Sequence, residues 1–334
     1  MKTIKLLLIF ILVLGIIGAV GPKVTFEPAT LLDTDINIPI NNLEDYVKSN
    51  EFKIKDLKPG NEAQIVWAND TLREKTPYSV VYIHGFSASH EEGAPIHTAF
   101  AKRYGFNLFL ARLEDHGKQN DDTFKNLTPD NFIQSAEDAI DIGKILGDKV
   151  IVISCSTGGT LATILAAAGE DIHSMIMYSP NIDIYDTNSE LLLYPWGRQL
   201  SYLVMGGEYN RITYTPEQKK YWNEVYHTNG LFALKTIIKD YMNEETFKKI
   251  KIPVFVGYYY KDEENQDKVV SVARMLDFYT QINTPISQKY KVAFPNAGHH
   301  VISSYLMNKE IDEVANETYQ WAESTLGLKP ILSN

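Results

Sequence analysis

The run KVIVISCSTGGTLATILAAAG, Lys149 to Gly169, decides how this chain folds. Its first third is apolar and β-branched, as a buried strand requires, and its last third is a helix-forming run of Leu and Ala. Between them stand Ser154, Cys155, Ser156, Thr157, Gly158 and Gly159. A strand–turn–helix carrying small-x-Ser-x-Gly is a nucleophile elbow, in which a tight turn forces the central residue into a strained conformation. The residues two before and two after the centre must be small, because the strand and helix backbones nearly touch there. Ser154 and Gly158 meet that requirement on either side of Ser156, although a glycine is usual in place of Ser154. An ordinary strand–helix connection would also favour small residues for packing, so a nucleophilic Ser156 depends on what the rest of the chain supplies.

Strand-like and helix-like segments alternate around this run. The strand candidates are Ala63–Ala68, Tyr78–His84, Phe106–Arg112, Lys149–Ser154, His173–Ser179, Ile252–Tyr260 and Gln288–Phe294. Several are continuously apolar, which fits parallel strands covered on both faces. A helix is expected over Pro129–Leu146, with Thr128 as N-cap, Pro129 at the first position and Gly147 past the end. The fold class is therefore α/β, a mostly parallel sheet with flanking helices. Asn181 to Ile250, rich in Tyr, Trp and Leu and without clear strands, interrupts the alternation and reads as a helical cap over the C-terminal edge of the sheet. Its apolar residues, including Leu191 to Leu193, Trp196, Tyr202 and Leu203, are expected to cover the turn at Ser156. The domain proper is expected over 61–330, with the cap at about 181–250.

The chain has 334 residues, 44% of them hydrophobic, enough to bury a sizeable core. Its net charge of −10 and the lack of a basic cluster argue against nucleic acid as a partner. Cys155 is the single cysteine, so no internal disulfide can form. Cys/His zinc spacings and phosphate-binding glycine loops are absent from the sequence.

At the N-terminus, Lys2 and Lys5 precede an uncharged run from Leu6 to Pro22, ended by Lys23. A charged start followed by an apolar segment is the pattern of an export signal, at the short end of the roughly 17–25 residues that span a bilayer. Residues 1–22 are thus expected to be a signal peptide or a membrane anchor, contacting the membrane and sending the remainder out of the cytoplasm. Residues 23–60, polar and punctuated by proline, read as a spacer with one short helix near Leu43 to Ser49.

A serine hydroxyl is inert at neutral pH without a base. In the inferred order the chain should supply nucleophile, then acid, then His, each just after a strand. The last strand candidate leads into FPNAGHHVISS, which offers His299 and His300 on a loop before a helix expected near Ser303. The strand before it leads into KDEENQDKVVS, with Asp262, Glu263, Glu264 and Asp267. Asp267, just ahead of a helix expected near Val269, is preferred as the acid that orients the imidazole, with Asp262 the alternate. An oxyanion hole is offered by YIHGFSASHEEG. Gly85 lets the loop fold back and frees the Phe86 N–H, while the Thr157 N–H at the helix start is the second donor. His84 reads as a loop organiser, and His116, in RLEDHG, as part of the site wall.

Together, His-Gly-Phe, Arg-Leu-x-x-His-Gly, Ser-x-Ser-x-Gly-Gly and Gly-x-His-Val-Ile resemble the α/β-hydrolase superfamily over residues 60 to 330. Within it the motifs look like those of bacterial carboxylesterases and monoacylglycerol-lipase-like enzymes. The resemblance implies Ser156 as nucleophile, Asp267 as acid, His300 as base, and Phe86 and Thr157 as the oxyanion hole. Matching His-Val-Ile selects His300, whereas matching Gly-His selects His299. The implied activity is hydrolysis of carboxylic esters through an acyl-enzyme, with no cofactor and no metal. The expected partner is a small-molecule ester with an apolar acyl or alcohol moiety. The same fold also carries amidases and acyltransferases, and a catalytically silent binding protein is the alternative of another class.

Overall fold

The computed structural model describes residues 18–31 and 35–331, together with Lys5 and Gly15. Helix α1 (Ile40–Phe52) precedes β1 (Gln64–Val66), β2 (Ser79–Ile83), α2 (Ile96–Tyr104), β3 (Asn107–Leu110) and α3 (Pro129–Leu146). Then come β4 (Val150–Cys155), α4 (Thr157–Ala168) and β5 (Ser174–Tyr178). An insertion carries α5 (Gly197–Met205), the short strands β6 (Tyr209–Arg211) and β7 (Val225–His227), α6 (Asn229–Tyr241) and the single turn α7 (Glu244–Phe247). β8 (Val254–Tyr258), α8 (Val272–Gln281), β9 (Lys289–Ala293) and α9 (Ile311–Thr325) complete the chain.

Seven strands form one sheet in the order β1-β3-β2-β4-β5-β8-β9, parallel throughout except for β1, which runs antiparallel to β3. Alternation along β4 explains its unbroken apolar sequence. Val150 and Val152 join the core beneath α3 and α4, whereas Ile151, Ile153 and Cys155 join the core beneath α2 and α9. α3 starts as its sequence requires, with Thr128 and Asn131 forming a reciprocal capping box behind Pro129.

Three local expectations change. The insertion is not purely helical: β6 and β7 pair antiparallel within it. No helix begins at Ser303; that segment stays in turns until Ile311. Its polar groups are used elsewhere, Ser303 Oγ donating to the Glu92 carbonyl, the Tyr305 N–H to the Ala94 carbonyl and Asn308 Nδ2 to the Ile302 carbonyl. Likewise α8 starts at Val272 with Ser271 as its cap, not at Val269, because Asp267 Oδ1 takes the Val269 and Val270 amides.

Residues 23–60 are more than a spacer. Leu43 and Val47 of α1 are buried in the core beside α3, and Phe26, Ala29, Leu31 and Ile36 pack against it. Glu51 of α1 forms a two-pronged, largely buried ion pair with Arg112, just past β3, with Nε–Oε2 at 2.7 Å and Nη2–Oε1 at 3.1 Å. The expected export segment, residues 1–22, lies largely outside the described residues. Among those described, no helix is long and apolar enough to cross a membrane.

The insertion is pinned where it leaves the sheet. Lys235 of α6 is 1% exposed and pairs with Asp183 at 2.9 Å and Glu190 at 2.5 Å. The Asp183 carbonyl accepts the Ser271 N–H, and Ile184 bridges Val270, so the insertion is tied to the start of α8.

Candidate active site

Ser156 occupies the one-residue turn between β4 and α4, with φ 52° and ψ −119°. A non-glycine side chain held at positive φ is strained, and the surroundings must enforce it. Here the Ser156 N–H donates to the Tyr178 carbonyl at 2.9 Å, while its carbonyl accepts from Gly159 and Asn181. Gly158 permits the turn, since a Cβ there would lie 2.0 Å from the Ile83 carbonyl oxygen. Ser154 fits the other small position, fully buried between β2 and β5. Cys155 points away from the turn into the α2–α9 core, and burial pushes its thiol well above the usual range.

Of the two loop histidines, His300 meets an acid. Its Nδ1 donates to Asp267 Oδ2 at 2.5 Å, and Asp267 is 1% exposed. Burial alone would depress the His300 pKa, but the charge and hydrogen bond of Asp267 hold it above the usual value, with Glu92 adding to the effect. Burial likewise opposes the Asp267 charge, yet His300 and the Val270 and Val269 amides bring its carboxyl below the usual range. His299 is held differently. Its Nδ1 accepts the Val301 N–H at 3.0 Å, and burial lowers its pKa. Asp262 is exposed and spends both oxygens on its own turn, accepting from Glu264 and Asn265.

His300 Nε2 is buried and has no hydrogen-bond partner among the described residues, so no Ser156–His300 bond is formed here. Ser156, His299 and His300 share one cavity of about 540 Å³ with Phe86, Thr157 and Glu92. The cap closes it with Ile184, Trp222, Tyr226, Leu231 and Leu234. Leu203, expected from sequence to face this space, is 79% exposed, and Leu191 to Leu193, Trp196 and Tyr202 do not line it either.

His84 and His116 are buried and edge-on to one another, and burial holds both largely uncharged, His116 at about 3. Neither lines the cavity. Phe86 lines the cavity and seats its ring among His116, Phe124, Phe132 and Tyr226. Glu92 was not anticipated from sequence, because HEEG after a glycine loop reads as a solvated acidic turn. Among the described residues there is no group of three or more His, Cys, Asp or Glu that could hold a metal ion.

A mostly parallel sheet with a serine at the strand–helix turn and a His–Asp pair on the loops after later strands defines the class: the chain has the α/β-hydrolase fold. No family model matches it. Over 111 residues it is 30% identical to the thermostable monoacylglycerol lipase of Bacillus sp. (strain H-257), a stretch covering 33% of this chain and 44% of that enzyme. The match thus spans less than half of the relative's length. Among solved structures it is similar to one reported with the metagenome-derived lipolytic enzymes LipS and LipT, with a TM-score of 0.64, 16% identity, and coverage of 79% of this chain and 98% of the other. The monoacylglycerol lipase of Paleococcus ferrophilus gives a TM-score of 0.54 at 13% identity, covering 74% of this chain and 95% of the other. A soluble variant of the monoglyceride lipase of Saccharomyces cerevisiae gives 0.55 at 14% identity, covering 78% and 90%.

Proposed function

We propose that the protein is a serine hydrolase of carboxylic esters, with Ser156 as nucleophile, His300 as base, Asp267 as acid, and the Phe86 and Thr157 amides as oxyanion donors. The observation that carries this reading is the strained Ser156 sharing a cavity with a histidine whose Nδ1 is held by a buried carboxylate. With Nδ1 so occupied, Nε2 is the ring atom free to take a proton. Ser156 Oγ adds to the ester carbonyl while Nε2 removes its proton. The negative oxygen settles between the two amides, and His300 returns the proton to the departing alcohol. Water, deprotonated by the same nitrogen, then releases the acid from Ser156. The Ser156–His300 contact closes when substrate is bound, as such contacts commonly tighten in the complex.

Ile184, Leu231, Leu234 and Val269 make the cavity suited to an apolar acyl or alcohol group. The lipase and monoacylglycerol lipase neighbours agree with an ester substrate of that kind. Export or membrane attachment through Lys2, Lys5 and the run to Pro22 belongs to the same reading, and cell fractionation of the full chain tests it. The catalytic assignment is tested with a fluorophosphonate probe and a panel of nitrophenyl esters. Labelling should fall on Ser156 and vanish with ester hydrolysis in Ser156→Ala; labelling that survives the substitution refutes the assignment.

A further inference from the structure

Glu92 has no part in the catalytic cycle of Ser156 and His300, yet it is built into the site. It lies on the short turn His90–Gly93 beyond the oxyanion loop, is 2% exposed, and lines the cavity. Its Oε2 accepts the Gly85 N–H at 2.6 Å and the Tyr82 hydroxyl at 3.3 Å. The Gly85 carbonyl is held from the other side by His84 Nδ1 at 2.8 Å. His84 Nε2 accepts the Leu113 N–H at 3.1 Å, so the ring proton is on Nδ1 and that nitrogen donates. The Gly85 carbonyl and the Phe86 N–H belong to one trans peptide and point in opposite directions. Fixing the carbonyl therefore aims the amide. With its own N–H and C=O both held by buried side chains, Gly85 cannot turn the Phe86 donor away from the cavity.

A neutral glutamine would hold Gly85 equally well, without the cost of burying a charge. What the carboxylate adds over a glutamine is its charge, which favours a neighbour that gains a positive one. Four titratable groups face it: the Tyr82 hydroxyl from β2, the Cys155 thiol from β4, the Tyr214 hydroxyl from the insertion, itself pushed up by burial, and His300 from the loop after β9, with Asp267 behind it. Burial, reinforced by Glu92, pushes Tyr82 and Cys155 well up, so both stay neutral. His300 is the one among them that becomes a cation. Gly85 sits between the two centres, since a Cβ on it would lie 2.8 Å from Glu92 Oε1 and 3.0 Å from Ser156 Cβ.

Resting on the serine-hydrolase reading, we propose that Glu92 is a positioning residue that latches the oxyanion loop through Gly85 and, by its charge, favours the imidazolium of His300. Burial raises Glu92 itself to about 7, with the Gly85 N–H and His300 pulling the other way, so its charge is present on the alkaline side of neutrality.

The test uses the full chain, nitrophenyl butyrate, and the variants Glu92→Gln and Glu92→Ala, with Ser156→Ala alongside. Glu92→Gln keeps the acceptor for Gly85 but not the charge. Its kcat on the alkaline plateau should stay within about tenfold of the parent, and the acid limb of its kcat/KM profile should move to lower pH. Glu92→Ala loses the latch, so kcat should fall about 10²-fold, toward the loss from removing one oxyanion donor, with KM changed much less. A parental kcat in Glu92→Ala, or an unmoved acid limb in Glu92→Gln, overturns the proposal. Should Glu92→Ala not melt cooperatively, the acid limb of Glu92→Gln decides alone. Activity surviving in Ser156→Ala overturns the underlying serine reading instead, so the two failures are distinguishable.

Discussion

His300 Nδ1 stands 2.5 Å from Asp267 Oδ2, and the other oxygen of that carboxylate accepts the Val269 and Val270 amides. Both oxygens of Asp267 are thereby committed. The carboxylate is fixed, and the imidazole it holds through Nδ1 keeps Nε2 without a hydrogen-bond partner among the described residues.

That arrangement separates the adjacent histidines. His300→Ala should lower kcat by about 10⁴-fold, and His299→Ala by less than about tenfold, since His299 spends Nδ1 on its own loop. Steady-state kinetics on one nitrophenyl ester decides, and the reverse ranking would transfer the base to His299.

The same pair sets an acid limb. A base works only when neutral, and Asp267 holds His300 above the usual histidine value against the effect of burial. kcat/KM should therefore decline as pH falls through a midpoint above that of an unperturbed histidine, which is near 6.5. Because Glu92 titrates close by, the limb belongs to the coupled groups. A midpoint well below the ordinary histidine value would contradict the pairing.

Cavity walls should govern chain length. Leu231 lines the cavity, whereas Leu203 is 79% exposed on α5. Leu231→Trp should shift relative kcat/KM toward shorter acyl esters, and Leu203→Trp should leave the profile unchanged. An identical profile in both would place the acyl group outside this cavity.

Legibility in the sequence followed the range of the forces. β4 and α4 could be read because burial on both faces writes a continuous apolar run, and the elbow because steric contact demands small residues at fixed spacing. Choosing among the four carboxylates from Asp262 to Asp267 was harder, because only the fold shows that Asp267 is covered and meets His300 while Asp262 closes its own turn. α5 misled for a related reason. Leu203 and Val204 are apolar yet face outward, and nothing in nine residues tells which side meets the cavity. Ser303 looked like a helix start because its partner, the Glu92 carbonyl, lies far away in sequence. Glu92 was hidden by its neighbours, since burial cannot be read from an acidic pair between a histidine and a glycine.

The buried carboxyl also has a thermodynamic signature. Glu92 rises from 4.5 to about 7 on folding, so the folded state holds its proton more tightly than the unfolded chain. Its contribution is complete below about 4.5 and is lost as pH climbs to about 7, at 1.36 kcal/mol per pKa unit, or about 3 kcal/mol. Glu92→Gln should therefore be the more stable protein at pH 8, with the gap closing toward pH 4. Denaturant melts at both pH values measure it, and equal gaps would argue against a buried charge.

The clasp between Glu51 and Arg112 bears on how the protein is best produced. A recombinant form trimmed at residue 61, the boundary suggested by composition, would remove Leu43 and Val47 from the core and strand the Arg112 guanidinium in a nearly dry place. Removing one partner of a buried ion pair costs about 3–5 kcal/mol, a large share of an ordinary domain's margin. Shortened versions meant to dispense with the apolar run from Leu6 to Pro22 should therefore retain everything from Lys23 onward, since Phe26, Ala29, Leu31, Ile36 and helix α1 are a belt that the hydrolase fold wears.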